Sequence, residues 1–231
     1  MRRLPARPLP AVGEEGLLSD ETARHARVLR LRAGDEVELF DGLGGRVSAS
    51  LLERGRKLGF VVTRELPARA PLPARELVLG LPKMPDLEAA VRMATELGVT
   101  TLRLAVTERS MPRAEGAQEA KKLERLARIA LEASRQSERD EAPTLLPPRP
   151  LLEAAAEVDP TVDRFVAAER SGAPGPRVST AGAAIVVGPE GGFSSAELAA
   201  LEELGFRAVS LGPTILRVST AVAAGLSRLN P

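Results

Sequence analysis

From residue 76 to the end of the chain, short apolar runs alternate with segments of helical periodicity, and this alternation restricts the fold more than any other feature of the sequence. "ELVLGL" reads as a buried strand. The next segment, "DLEAAVRMATELG", carries Leu87, Ala90, Val91, Ala94 and Leu97 at helical spacing, with Asp86 placed to cap its start and Gly98 its end. "TTLRLAV" is a further strand, and a long helix is expected over roughly residues 115 to 136, where Leu123, Leu126, Ala130 and Ala133 form one stripe. Strands follow at "TLL", "DRFVAA", "AAIVV" and "AVSLG", with helices at "LLEAAAE", "SSAELAALEELG" and "STAVAAGLSRL". Such alternation implies a mostly parallel sheet covered on both faces, and ligands of such sheets bind at the carboxyl ends of the strands.

The earlier part of the chain follows another pattern. "DEVELF" alternates polar and apolar residues, "DGLGG" supplies turn glycines, and "RVSASLL" and "LGFVVTR" continue as short strands, which together read as a small β module. "LPARAPLPAR", residues 66 to 75, spaces three prolines through an extended, semi-rigid connection. The expected division is therefore a β module over residues 1–70 and an α/β domain over residues 71–231.

Composition excludes several kinds of chemistry. The absence of cysteine removes disulfides and thiolate metal sites, a single histidine removes a multi-histidine metal centre, and no metal is expected. No run approaches transmembrane length, "MRRLPARPLP" leads into no signal-type apolar segment, and a cytoplasmic protein without a membrane partner is the expectation. The net charge of +1 gives no general pull toward nucleic acid, but its distribution is uneven. Arg2, Arg3 and Arg7 open the chain without an acid among them, and "RHARVLRLR" carries Arg24, Arg27, Arg30 and Arg32. Each cluster suits RNA phosphates, and each equally suits a solvated face in an arginine-rich protein.

The segment "GPEGGFSSAEL", residues 188 to 198, follows the apolar run "AAIVV" and leads into a helix that Ser194 or Ser195 can cap, with Glu197 near its positive end. It lacks the lysine and hydroxyl residue of a P-loop, and the Glu190 carboxylate would repel phosphate, so a ligand with hydroxyls, amines or positive charge fits better. Glycines after a strand also serve plain tight turns. A second segment, "VSLGPTILRVSTA", repeats the design: Gly212 and Pro213 follow a strand and precede Ile215, Leu216 and Arg217. Two such loops at neighbouring strand ends would form a flat, backbone-lined slot suited to a heteroaromatic ring.

"GPEGGF", "LGPTILR" with "TA" close behind, "ATELGV", "TERS" and "KKLERLARIALEASRQSER" together resemble the ribosomal RNA small subunit methyltransferase E family of the SPOUT class. The likeness covers most of residues 76 to 231 in matching order, and the basic start with "HARVLRLRAGDEVELFDG" resembles that family's PUA-like barrel. It implies an α/β fold with a SPOUT-type parallel sheet and a trefoil knot, which periodicity alone never suggests, plus a small N-terminal PUA-like β-barrel. It further implies a homodimer that uses S-adenosylmethionine to methylate the N(3) imide nitrogen of a uridine in 16S ribosomal RNA of the small subunit. Gly188, Pro189, Glu190, Gly191 and Gly192 would form one wall of the cofactor pocket, and Leu211, Gly212, Ile215 and Leu216 the other. Arg217 matches the family arginine beside the transferred methyl group, and Arg2, Arg3, Arg7, Arg24, Arg27 and Arg30 would face RNA.

The sequence departs from the family where Thr214 replaces arginine, Val218 and Ser219 replace threonine and glutamate, and Arg135 replaces glutamate. Ser219 leaves no carboxylate base at its position. Arg217 stays protonated and cannot accept the imide proton, but it can stabilise charge on a uracil carbonyl. His25, among arginines, suits RNA or solvent better than proton transfer, and Lys83 is a weak phosphate candidate. Rival readings are a related methyltransferase acting on a ribose hydroxyl or another base, and a non-catalytic RNA-binding assembly factor that would not bind the cofactor.

Overall fold

Residues 1–67, 73–110, 116–168, 173–178 and 182–229 are described in a computed structural model of the chain. They divide into two units, Met1–Pro71 with Ser134–Ala142, and Leu72–Ala133 with Pro143–Pro231. The first unit contains β1 (Arg2–Pro5), β2 (Glu15–Leu17), α1 (Asp20–Val28), β3 (Glu36–Phe40), β4 (Arg46–Arg54) and β5 (Lys57–Glu65). Its five strands lie in the order β1-β3-β4-β5-β2, antiparallel except that β1 runs parallel to β3. Val37, Leu39, Val47, Ala49 and Leu51 supply the buried positions of β3 and β4, and Leu4, Ala26 and Phe60 close the core around them. The strands β3, β4 and β5 fall where the alternating sequence puts them. Pairing with a neighbour distant in sequence makes the proline-flanked β1 and the three-residue β2 into strands, so neither carries a local signal of its own.

The second unit holds β6 (Arg75–Gly80), α2 (Met84–Glu96), β7 (Thr101–Val106), α3 (Ala117–Gln136), whose last residues count with the first unit, β8 (Thr144–Pro150), α4 (Leu151–Ala156), β9 (Asp163–Ala167), β10 (Ala183–Val187), α5 (Ser195–Glu203), β11 (Arg207–Val209) and α6 (Val218–Leu229). Its six strands are parallel throughout, in the order β11-β9-β10-β6-β7-β8. The central strand β10 explains why the run "AAIVV" is apolar at every position. Ala183, Ile185 and Val187 join Leu77, Leu79 and residues of α2, α3 and α6 in one core. Ala184 and Val186 face the other way, into a second core with Val78, Ala154 of α4 and Leu201 of α5. Pro147, Pro148 and Pro150 are tolerated in β8 because it is an edge strand.

The cap expected of Asp86 falls elsewhere. Lys83 is the N-cap of α2, Met84 and Pro85 open the helix, and Asp86 lies in its first turn, where it complements the positive helix end. At the other end Gly98, at φ +87°, donates its N–H to the Thr95 carbonyl while Val99 donates to Ala94, a Schellman termination. No helix among the described residues is long and apolar enough to cross a membrane, and no group of three potential metal ligands occurs among them.

Candidate active site

The buried strand β10 ends at Val187, and the next seven residues turn back across the carboxyl edge of the parallel sheet before α5 begins. Gly192 closes that turn: its N–H donates to the Pro189 carbonyl at 2.9 Å, and its φ of +66° favours glycine. Ser194 then caps α5 as expected, in a reciprocal arrangement with Glu197. The Ser194 hydroxyl accepts from Glu197 N, and Glu197 Oε2 accepts from Ser194 N at 2.9 Å. The carboxylate of Glu197 is buried, and its other oxygen accepts the Glu108 N–H at 2.9 Å, which ties the turn after β7 to the turn after β10.

Two further contacts hold the same loop. Glu190 Oε1 accepts from the Lys83 backbone N–H at 3.0 Å, which links it to the start of α2. Arg109 Nη1 donates to the Gly191 carbonyl at 2.9 Å. Pro189 also lies against the end of β6 so closely that a Cβ on Gly80 would sit 2.7 Å from Pro189 Cδ. The loop is thus held by backbone proximity on one side and by three polar side chains on the others.

Facing it is the loop after β11. Its hinge is internally bonded, with Ser210 Oγ donating to Gly212 O at 3.2 Å and Arg228 Nη1 donating to Ser210 O at 3.1 Å. Between the two loops lies a cavity of 210 Å³, far more than the roughly 15 Å³ that one water requires. Gly188, Pro189, Glu190, Gly191 and Gly192 line it from one side, and Leu211, Gly212 and Leu216 from the other. Ile215 does not join them and is 62% exposed. Arg217 is exposed and also lies outside the lining, although its neighbours Leu216 and Val218 both belong to it.

The lining includes residues to which sequence reasoning gave no role: Arg109, Phe193, Ala167, Ser210 and Thr214. Arg109 belongs to the "TERS" segment, but its partner Gly191 is 82 residues away, so no local pattern joins the two. Among the lining residues only Arg109 and Glu190 carry charged side chains. The rest is main chain, aliphatic carbon, one phenyl ring and two hydroxyls, so the cavity can enclose a flat ring and hold a polar group at its charged side.

In the first unit, Arg2, Arg24, Arg27 and Arg30 are exposed, as is His25. Arg7 is exposed too, with Nε donating to the Asp41 carbonyl. Arg3 stands apart. It is 7% exposed, pairs with Glu38 at 2.8 Å and with Asp140, and lies over the Phe40 ring at 4.4 Å, so its guanidinium is engaged inside the unit.

The second unit is thus a parallel sheet with a loop-lined pocket at its carboxyl edge, in one chain with a small β unit. The chain matches the RNA methyltransferase domain family over residues 69–230 and the RNA methyltransferase PUA domain family over residues 18–63. It is 34% identical over 234 residues to the ribosomal RNA small subunit methyltransferase E of Mycobacterium bovis, covering 94% of this chain and 87% of the relative. Identity to the Aquifex aeolicus protein of the same name is 32% over 218 residues, covering 92% and 93%. The chain belongs to the ribosomal RNA small subunit methyltransferase E family. Among solved structures, a member from Neisseria gonorrhoeae bound to S-adenosyl methionine matches with a TM-score of 0.82 at 28% identity, covering 98% of this chain and 95% of that one. A methyltransferase from Legionella pneumophila in complex with the cofactor SAM gives 0.80 at 26% identity, covering 98% and 96%.

Proposed function

We propose that this protein methylates the N(3) imide nitrogen of a specific uridine in 16S ribosomal RNA of the small subunit, with S-adenosylmethionine as methyl donor and a homodimer as the working form. The observation that carries the reading is the cavity between the two glycine-containing loops at the carboxyl edge of the parallel sheet. Its main-chain and aliphatic lining suits an adenine ring, whose edges are read by N–H and C=O groups. Gly188, Pro189, Gly191 and Gly192 would hold one side of the donor and Leu211, Gly212 and Leu216 the other. Two solved relatives at 26–28% identity carry this compound, which supports the same assignment here.

When bound, the donor supplies a methyl group on a positively charged sulfur. The chain contributes orientation, since the pocket wall after β10 is anchored to two neighbouring loops, those after β6 and β7, before any ligand arrives. Arg217, beside the lining residues Leu216 and Val218, stabilises negative charge growing on a uracil carbonyl as the imide releases its proton to solvent. A guanidinium stays protonated at neutral pH, so it acts by charge and not as a base. The surface residues Arg2, Arg7, Arg24, Arg27 and Arg30 contribute phosphate contacts, which orient RNA without reading its sequence.

The test has two measurements. Calorimetric titration with S-adenosylmethionine should give one site per chain, and mass mapping of 16S RNA after reaction should show a single added methyl on a uracil base. No binding would leave a non-catalytic RNA-binding factor, and a methyl on ribose would move the reaction to a hydroxyl. Light scattering on the purified protein should return the mass of two chains.

A further inference from the structure

Uracil N(3) lies on the Watson–Crick edge of the base, so a uridine methylated there has left its pair and its stack before the methyl arrives. The unstacked ring needs a new surface to lie against, and RNA-binding proteins commonly supply an aromatic side chain for this. This chain has none to offer outside its cavity. It contains no tryptophan, no tyrosine and five phenylalanines. Phe40, Phe60, Phe165 and Phe206 are buried, and Phe193 lines the cavity with its ring so close to Gly188 that a Cβ there would sit 3.1 Å from Phe193 Cε2. That leaves aliphatic carbon or a guanidinium plane.

Of the exposed large apolar side chains among the described residues, only Ile215 is a chain neighbour of the cavity lining; the others lie in the first unit or on α4. Ile215 stands between the lining residues Thr214 and Leu216, is 62% exposed, and is left out of the core against which Leu211 and Ala221 pack. Arg217 is exposed as well and follows Leu216, so the inward leucine is flanked by an apolar side chain and a cation that both stay outside the cavity. The loop that carries them is held at both ends: Arg228 Nη1 donates to Ser210 O at 3.1 Å, and Arg217 O accepts the Ala221 N–H at 2.8 Å at the start of α6. An apolar surface beside a guanidinium matches uracil, which presents a flat ring face and carbonyl oxygens on either side of N(3). We infer that Ile215 is the side chain against which the target uracil lies, holding the ring at the mouth of the cavity with a carbonyl oxygen toward Arg217. The inference rests on the base-methylation reading proposed above and deepens it by naming the residue that holds the substrate base. Such a contact is the same before and during methyl transfer, so it contributes to RNA affinity, whereas Arg217 contributes to turnover.

Two variants test it. Ile215→Ala removes the apolar surface, and Ile215→Trp replaces it with the only tryptophan of the chain, whose emission reports a base stacked on it. Because the side chain is exposed, neither change disturbs the core. With 16S ribosomal RNA as substrate, Ile215→Ala should raise KM by roughly fivefold or more and leave kcat and the dissociation constant for S-adenosylmethionine within about twofold. Ile215→Trp should restore KM. Its emission should be quenched by a short RNA carrying the uridine located by mass mapping, and much less by the same RNA with an abasic site there. An unchanged KM in Ile215→Ala, or equal quenching by the two RNAs, would overturn the inference. Weaker binding of S-adenosylmethionine by Ile215→Ala would assign the residue to the cofactor wall, and loss of the two-chain mass in light scattering would assign it to a subunit contact; either overturns the inference too. A wild-type protein that adds no methyl to a uracil base would instead overturn the proposed function, and this inference with it.

Discussion

Arg30 adopts a φ of +58° at the end of α1, where its N–H donates to the Arg27 carbonyl and the Leu31 N–H donates to Ala26. This is the termination that Gly98 makes for α2, but with an arginine in the left-handed position. A side chain there costs free energy that glycine does not, so Arg30→Gly should raise stability to urea by about 1 kcal/mol, net of the greater unfolded-state freedom of glycine. If Arg30 contacts phosphate, the same variant should bind RNA less tightly and lower the salt dependence of binding. A variant that gains stability with unchanged RNA affinity would remove Arg30 from the RNA surface. For Arg217, replacement by alanine should reduce turnover by about a hundredfold with cofactor affinity nearly unchanged, because it lies outside the cavity lining. Unchanged turnover would exclude it from the mechanism. The residue scale is also where sequence reading stopped short. Arg3 belongs by composition with the other arginines at the start of the chain, but its acidic partner Asp140 lies 137 residues away and burial follows from that pairing. Ile215 shares the apolar character of Leu216 but faces solvent, since the loop that carries them has no periodicity to distinguish inward from outward positions.

At the scale of elements, most of the second unit was legible, because strands buried on both faces read as unbroken apolar runs and the helices packed on them carry apolar stripes. The start of α2 was less so. Lys83 caps it without a side-chain hydrogen bond, whereas Asp86 offers the expected residue type three positions too late. What positions the pocket was legible only in part: the glycines of the loop after β10 mark a turn, but its anchoring depends on neighbours brought alongside by the parallel sheet. Gly80, the last residue of β6, shows how tight that arrangement is. An alanine there would put its Cβ 2.7 Å from Pro189 Cδ and 3.0 Å from Pro189 N, and the ring and backbone of a proline have little freedom to yield. Gly80→Ala should therefore destabilise the protein by about 1–3 kcal/mol, as overpacking does, and should also weaken cofactor binding by displacing the loop. Thermal denaturation with and without S-adenosylmethionine measures both effects. A variant with wild-type affinity would show that the loop tolerates displacement from β6.

At the scale of the whole molecule, the chain does not divide at a single point. The proline-rich stretch of residues 66 to 75 separates two compositions, but Ser134–Ala142, which begins in the last turn of α3, returns to the first unit. No local pattern records that return, because it depends on a charge cluster assembled from four separate segments. Arg3 of β1 pairs with Glu38 of β3 and with Asp140, and Arg46 of β4 approaches Glu38 at 3.7 Å and Asp140 at 3.8 Å. All four side chains are at most 14% exposed. Removing one charge from such a cluster leaves another without full compensation in a poorly solvated site, a loss that exceeds the value of a surface pair. Asp140→Asn keeps the shape of the side chain and removes its charge, so it isolates this effect. It should reduce the stability of the first unit by about 2–3 kcal/mol. Because the cluster lies wholly within that unit, the loss should be local: amide hydrogen exchange should accelerate in β1 and β3, while β6 and β10 in the core of the second unit retain their protection. Uniform acceleration across both sheets would mean that the two units unfold as one cooperative body, and unchanged exchange in β1 would mean that Asp140 is not needed to hold Arg3 in place.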